Sequence, residues 1–292
     1  MSTPTAPVTQ HQQGRTGASP ILALDGISKA FGAVAALTDI SLSVGEGEVV
    51  AIVGDNGAGK STLVKVLSGV HAPDSGTITF HGREVSVPTP AAAMDLGIAT
   101  VFQDLALCEN LSVVQNLFLG RETRRLRLDT VQMETRSWEL LRELSAKIPT
   151  VRIPVAGLSG GQRQTVAIAR SLLGDPRVII LDEPTAALGV EQTAEVLNLI
   201  ERLRDRGLGV IMISHNMADV RAVADRVAVL RLGRNNGEFD ARAVSSEEIV
   251  AAITGATDNV VTRRAGRGAT AAAAPHPPTP AAAHHDPEGD VR

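Results

Sequence analysis

Nine consecutive residues, Gly54-Asp55-Asn56-Gly57-Ala58-Gly59-Lys60-Ser61-Thr62, are of the types that hold a polyphosphate. Glycines let successive backbone N–H groups turn toward one anion with no Cβ in the way, and a helix that opens there adds the positive end of its dipole. In such a cradle Lys60 reaches the β- and γ-phosphates of a nucleoside triphosphate, and the Ser61 hydroxyl ligates Mg²⁺. The spacing G-x-x-x-x-G-K-[ST] gains its meaning from context. Here the apolar run Val49 to Val53 precedes it as a strand, and Leu63, Val66 and Leu67 follow it as a helical face. ATP or GTP is the expected ligand.

A second constellation lies downstream. Val178-Ile179-Ile180-Leu181 ends in Asp182-Glu183, which puts two carboxylates at the carboxyl end of a buried strand, where open α/β sheets bind ligands. Asp182 would hold Mg²⁺ directly or through water, and Glu183 would orient and deprotonate an attacking water. Leu158-Ser159-Gly160-Gly161-Gln162 precedes a helical segment and forms another exposed helix N-terminus able to take a phosphate; taken alone, the same string is an N-cap turn.

The elements that must position these groups are legible in outline. Val210 to Ile213 and Val227 to Leu230 join Val178 to Leu181 as buried parallel strands, with Val196, Leu199, Ile200 and Leu203 marking a helix between the first two. Ile21 to Leu24 and Ile40 to Val44 read as strands around a glycine-containing middle that holds Phe31-Gly32. Thr77 to Phe80 and Val85 to Val87 read as a hairpin split by His81-Gly82-Arg83. Together these short strands predict a small antiparallel layer. From about Asp104 the strand signal gives way to helical spacing at Leu111, Val114, Leu117 and Phe118, then at Trp138, Leu141 and Leu144, with Trp138 as core anchor of an inserted helical subdomain. Ser245 as N-cap, Glu248 three residues on, Ile249 and Ile253 as the apolar face and Gly255 as stop define a last helix.

Composition narrows the class. The chain has 292 residues, 43% of them hydrophobic, which is enough for a substantial core. A formal net charge of −4 supplies no global attraction to nucleic acid, and no nucleic-acid partner is expected. The lone Cys108 excludes an intramolecular disulfide and reads as a small apolar residue. No apolar run has signal-peptide or bilayer-spanning length. Residues 1–19 and 256–292 have the composition of disordered segments, and His276, His284 and His285 in the latter lack the further ligands of a metal site.

The cradle, the Leu-Ser-Gly-Gly-Gln string and the Leu-Asp-Glu-Pro strand end, in this order, resemble the ATP-binding subunits of ABC transporters, and the resemblance covers residues 20–255. It implies an α/β fold: a P-loop NTPase core with a mainly parallel sheet, an antiparallel β subdomain and an inserted helical subdomain at about 104–176. It also implies further roles. Gln103 in Val-Phe-Gln-Asp matches the family's Q-loop glutamine at Mg²⁺ or water. His215 in Ile-Ser-His-Asn matches the switch histidine at the γ-phosphate, and Phe31 matches the aromatic that stacks on adenine. Ser159, Gly160, Gly161 and Gln162 of one chain would close over Gly54 to Thr62 of a second, so the resemblance implies an ATP-sandwiched pair, most simply a homodimer. The sequence departs from the family at Gly189, where Ser-Ala-Leu-Asp is usual and Ala186-Ala187-Leu188-Gly189 stands. That puts coupling between the two sites in question.

Asn110 to Glu122, Glu183 to Leu188 and Ile213 to Met217 look like the ATPases of bacterial monosaccharide importers of the ribose, xylose and fructose type, in a single-domain form. The implied partners are a transmembrane permease and, through it, an extracytoplasmic solute-binding protein. The implied place is the cytoplasmic face of the bacterial membrane. An ABC ATPase for another solute shares the same motifs. A soluble ABC ATPase acting on DNA or ribosomes would carry a long coiled-coil insertion or two ATPase domains, and neither is visible.

Overall fold

The computed structural model describes residues 19–122 and 129–256. The two segments expected to be disordered lie outside these residues except for Ser19 and Ala256, as do the three tail histidines. The chain divides into two compact units, 1–254 and 255–292. All elements below belong to the first, and only Gly255 and Ala256 of the second are described.

In chain order the elements begin with β1 (Leu22–Phe31), β2 (Val34–Val44), β3 (Val49–Val53), α1 (Lys60–Leu67), β4 (Ser75–Phe80), β5 (Arg83–Val85), α2 (Pro90–Leu96) and β6 (Ile98–Val101). The helical stretch follows with α3 (Val113–Phe118), α4 (Thr130–Glu143), a 3-10 turn at Val155–Gly157 and α5 (Gly160–Leu172). Then come β7 (Val178–Asp182), α6 (Val190–Asp205), β8 (Gly209–Ile213), α7 (Met217–Val223), β9 (Arg226–Arg231), β10 (Arg234–Asp240) and α8 (Ser246–Thr254).

The central sheet has the order β10-β9-β3-β8-β7-β6, parallel from β9 through β6 with β10 antiparallel at one edge. Its apolar runs are continuous because both faces are covered. Val49, Ala51, Val53, Ile179, Leu181, Val210, Met212, Val227 and Val229 join one core, packed under α3 to α8. Val50, Ile52, Val178, Ile180, Ile211, Ile213, Ala228 and Leu230 join the other, shared with α1 and the antiparallel layer. Successive side chains of a strand point to opposite faces, so each five-residue strand anchors two layers, with roughly 1.5–3 kcal/mol per buried Val, Ile or Leu.

The antiparallel layer has the order β2-β1-β4-β5. Its strands run further than the sequence suggests: β1 continues beyond Leu24 to Phe31 and β2 begins at Val34. A break in register between Leu24 and Ile27 on one side, and between Asp25 and Ser28 on the other, absorbs the glycine as a bulge instead of ending the strand. β5 ends at Val85 rather than Val87, after a two-residue turn at His81-Gly82.

The helical stretch also differs in detail. Leu111 precedes α3 because the Ser112–Gln115 capping box starts the helix at Val113. The fully buried Asn116 fixes the loop before it, accepting from Cys108 N (2.7 Å) and donating to the carbonyls of Cys108, Leu111 and Ser112. In α4 the inward stripe is Met133, Ser137, Leu140 and Leu141, at i, i+4, i+7 and i+8. Trp138 lies one position off that stripe and packs at the rim of the core, half-buried, instead of anchoring it. α8 starts with the Ser245–Glu248 capping box, and Gly255 follows its end with φ 69°.

Candidate functional site

The cradle is built from close approaches. Leaving β3, Gly54 passes so near β9 that a Cβ would lie 2.2 Å from the Leu230 carbonyl oxygen. Gly59 has φ 103°, and a Cβ there would meet the Ala36 oxygen at 2.8 Å and Leu37 Cδ2 at 2.9 Å. Neither position accepts another residue without moving backbone. Gly59 is also the N-cap of α1 and offers no side-chain acceptor, whereas Thr89, Ser112, Asp129, Ser159 and Asn216 each cap their helices. The first N–H groups of α1 therefore meet no side-chain cap, the arrangement in which a helix start can take an anion. Lys60 Nζ curls back to donate to the carbonyls of Gly54 (2.6 Å) and Asp55 (3.0 Å), which puts its charge in the middle of the loop. Asp55, Asn56, Gly57 and Ser61 are exposed, Thr62 is partly covered and Ala58 is buried.

Two distant segments wall the cradle, and nothing local in the sequence marks them. Gly233, in the β9–β10 turn, donates to the Ala58 carbonyl (3.0 Å) and accepts from Thr38 N of β2 (2.7 Å). Asn235 uses its side-chain amide on Ser41, accepting from the N–H (2.8 Å) and donating to the carbonyl (2.9 Å). The antiparallel layer is thereby clipped to the edge of the central sheet.

Phe31 closes β1 with 45% of its surface exposed. The His71 ring meets it edge-on at 5.1 Å, and Lys29 Nζ lies 5.7 Å from its centroid. Lys29 is in turn held 2.6 Å from Asp74, whose carboxylate also accepts from Ala30 N (2.7 Å). The Lys29 hydrogen bond, then the Ala30 N–H, keeps the Asp74 carboxyl below its ordinary range. The ring is braced by His71 and Lys29 while keeping exposed surface, the form an aromatic stacking platform takes.

The chemistry-bearing carboxylates emerge where β7 and β8 end side by side, with Asp182 opposite Ile213. Glu183, in left-handed backbone (φ 51°), donates its N–H to the Ile213 carbonyl at 3.0 Å. Its Oε2 lies 2.6 Å from His215 Nδ1, an ion pair when the imidazole is protonated. The imidazole is 72% exposed and the Glu183 side chain 15%, so the carboxylate is sheltered and the histidine faces outward. Burial pushes the Asp182 carboxyl above its ordinary value and the adjacent Glu183 adds to this, while Lys60 and Lys65 of α1 oppose it. Asp182 makes no ion pair among the described residues. Asp182, Ser61 and Gln103 each offer a side-chain oxygen, the donor type Mg²⁺ prefers. No group of three or more His, Cys, Asp or Glu side chains able to hold a metal occurs among the described residues.

Lys60, Asp182, Glu183 and His215 are thus brought to one edge of the central sheet. Gln103 reaches the same edge, two residues beyond the end of β6, where it is exposed and away from the Glu183–His215 pair. Ser159 to Gln162 keep other company. Ser159 Oγ accepts from Gln162 N, Gln162 Oε1 accepts from Ser159 N, and Gln162 Nε2 donates to the Lys147 carbonyl (2.7 Å). The glycines make room for the start of α6: a Cβ on Gly160 would lie 2.8 Å from Leu188 Cδ2, and one on Gly161 3.1 Å from Gln192 Cβ. The N-cap reading therefore accounts for this string within one chain.

Residues 37–186 match the ABC transporter family model. The chain is 44% identical over 237 residues to the xylose/arabinose import ATP-binding protein XylG of Sulfolobus acidocaldarius, covering 81% of this chain and 94% of that one. It is 42% identical over 248 residues to the fructose import ATP-binding protein FrcA of Rhizobium meliloti, covering 82% and 95%. Against the ribose import ATP-binding protein RbsA 2 of Streptomyces avermitilis it is 42% identical but spans only 48% of the relative's length. Among solved structures, the MJ1267 ATP-binding cassette of an ABC transporter superposes with a TM-score of 0.73 at 27% identity, covering 80% of this chain and 99% of that one. The cassette MJ0796, solved as a dimer bound to ADP and Pi, superposes at 0.64 and 26%, covering 76% and 100%. With the glycine cradle and the paired strand-end carboxylates already in place, these likenesses settle its kinship: the chain belongs to the ABC transporter family, among its ATP-binding, ATP-hydrolysing subunits.

Proposed function

We propose that this ATPase powers import of a monosaccharide through a membrane permease, working as a pair of chains that sandwich two ATP molecules at the cytoplasmic face of a bacterial membrane. The observation that carries the catalytic part is the Glu183–His215 pair at 2.6 Å, one strand away from the cradle. The names of the relatives, importers of xylose and arabinose, fructose and ribose, support the cargo class.

In this reading Phe31 stacks on adenine, Gly54 to Gly59 and the first turn of α1 bind the phosphates through backbone N–H groups, and Lys60 exchanges its two carbonyl partners for β- and γ-phosphate oxygens. A Glu183 carboxylate oxygen accepts the proton of the attacking water. Nδ1 of His215 is engaged with Glu183, so Nε2 is the nitrogen that faces the γ-phosphate. Ser61, Asp182 and Gln103 would hold Mg²⁺, which neutralises charge developing on the phosphates. Ser159 to Gln162 of a second chain close the site, and the dimeric form of the MJ0796 cassette supports that arrangement. The permease docks at a groove of about 650 Å³ beside Gln103, where Met94, Phe102 and Leu119 are exposed and Arg121 and Arg170 add positive charge. No helix among the described residues is long and apolar enough to cross a membrane. Contact with the membrane would come through that partner and, behind it, a solute-binding protein.

The test is ATP turnover by the chain assembled with its permease and solute-binding protein, challenged with a panel of monosaccharides. One sugar should stimulate hydrolysis, and Glu183→Gln should lower the stimulated rate by ~10²-fold or more while ATP still binds. Stimulation by a non-sugar solute alone would overturn the cargo, and full turnover in Glu183→Gln would overturn the base.

A further inference from the structure

Two side-chain bridges join the segments that leave β7 and β8. The first is Glu183–His215. The second is part-buried: Thr185 Oγ1 donates to Asp219 Oδ2 at 2.6 Å, and Asp219 is 5% exposed while Thr185 is partly covered. Thr185 lies two residues beyond Glu183, and Asp219, in the first turn of α7, lies four beyond His215.

The two sides of this second bridge are held very differently. The start of α7 is fixed by the Asn216 cap, by buried Ser214 before it and by buried Val220 and Val223 within it. The Glu183–Leu188 stretch is anchored at its start by Glu183 N to Ile213 O and by buried Pro184, and beyond that by its own turns, Ala186 N to Glu183 O (3.1 Å) and Leu188 N to Thr185 O (3.3 Å), with left-handed backbone at Glu183 and Ala187. It delivers Gly189 to the surface as the N-cap of α6, with no side-chain cap bond. A short hydroxyl-to-carboxyl bond with its acceptor buried is geometrically strict, so it transmits position as well as stability.

We propose that Thr185 and Asp219 are positioning residues. Their bond makes the Glu183–Leu188 turn and the His215-bearing segment that leads into α7 one body. It sets the Glu183–His215 separation and carries a displacement of His215 into the turn that ends at Gly189. This rests on Glu183 and His215 acting as base and γ-phosphate contact. A misplacement of about 1 Å at such a base costs up to ~10²-fold in rate.

The experiment uses the full chain with Thr185→Val, which removes the donor at nearly constant shape, and Thr185→Ser, which keeps it. Turnover, ATP affinity and melting temperature are measured in the wild-type and His215→Ala backgrounds. Thr185→Val should lower kcat roughly 10- to 100-fold with ATP affinity within about twofold, and Thr185→Ser should stay near wild type. In the His215→Ala background the same valine should cost less than about threefold, because the bridge it positions is gone. An equal loss in both backgrounds, an unchanged kcat in Thr185→Val, or failure of serine to restore turnover overturns the proposal. Should valine not be accommodated, Thr185→Ala removes the same donor and is read the same way. Full turnover in His215→Ala alone overturns the reading beneath the proposal, a result distinct from an unaffected Thr185→Val.

Discussion

Replacing Gly189 with aspartate should stabilise the chain and alter communication between paired sites. Gly189 begins the 16-residue helix α6 with φ −73° and ψ 166°, the extended geometry of an N-cap, and contributes no side-chain hydrogen bond. A Cβ there meets nothing within 4 Å, so the substitution introduces no clash. An aspartate oxygen would accept from the N–H of Glu191 or Gln192. Relative to glycine such a cap is worth a few tenths of a kcal/mol, and a negative charge at a helix start adds ~0.3–1 kcal/mol, reduced here because Glu191 already occupies the first turn. The sum, roughly 0.5–1 kcal/mol, corresponds to a rise of about 1–4 °C in Tm for a domain of this size. Thermal melts of wild type, Gly189→Asp, Gly189→Ser and Gly189→Ala should rank aspartate highest and alanine lowest. A Gly189→Asp chain that melts at or below wild type refutes the capping energetics. In the same samples the Hill coefficient of ATP hydrolysis should change more than ATP affinity does; an unchanged coefficient refutes a coupling role for position 189.

Two further outcomes are expected. Gly59→Ala forces a side chain into left-handed backbone against the Ala36 carbonyl, a strain of about 1–3 kcal/mol, and should weaken ATP roughly 5- to 150-fold in titrations with a fluorescent analogue; affinity within about twofold of wild type in a folded chain would contradict it. For Asp182, burial raises the folded pKa above the unfolded one, so ionising it costs the nucleotide-free chain stability as pH rises through the folded value. Asp182→Asn should therefore melt above wild type at about pH 8, with the difference shrinking toward about pH 4, and a pH-independent difference would count against that burial effect.

How much of this was legible in the sequence depends on how local each determinant is. β3, the cradle and α1 are contiguous, and the apolar runs of β7, β8 and β9 announce themselves because both faces of those strands are buried. β10 escapes notice, since an edge strand of composition Arg-Asn-Asn-Gly-Glu-Phe-Asp has no buried stripe to display. β6 is only four residues long, and α2 holds a single buried residue, Ala93. Within the site, Lys60, Asp182 and Glu183 are readable from residue types. The Gly233 wall, the Asn235 clip and the Thr185–Asp219 bond depend on partners 34 to 195 residues away, which no window of sequence brings together.

The clip made by Asn235 has a consequence for the chain's behaviour at high concentration. β10 is an outer strand of the central sheet, and an outer strand with free N–H and C=O groups is a template on which another molecule's strand can assemble. By occupying both backbone groups of Ser41, the Asn235 amide lashes β2 alongside that rim within the same molecule. The residue that clips the antiparallel layer to the central sheet thereby shields the adjoining edge from intermolecular strand addition.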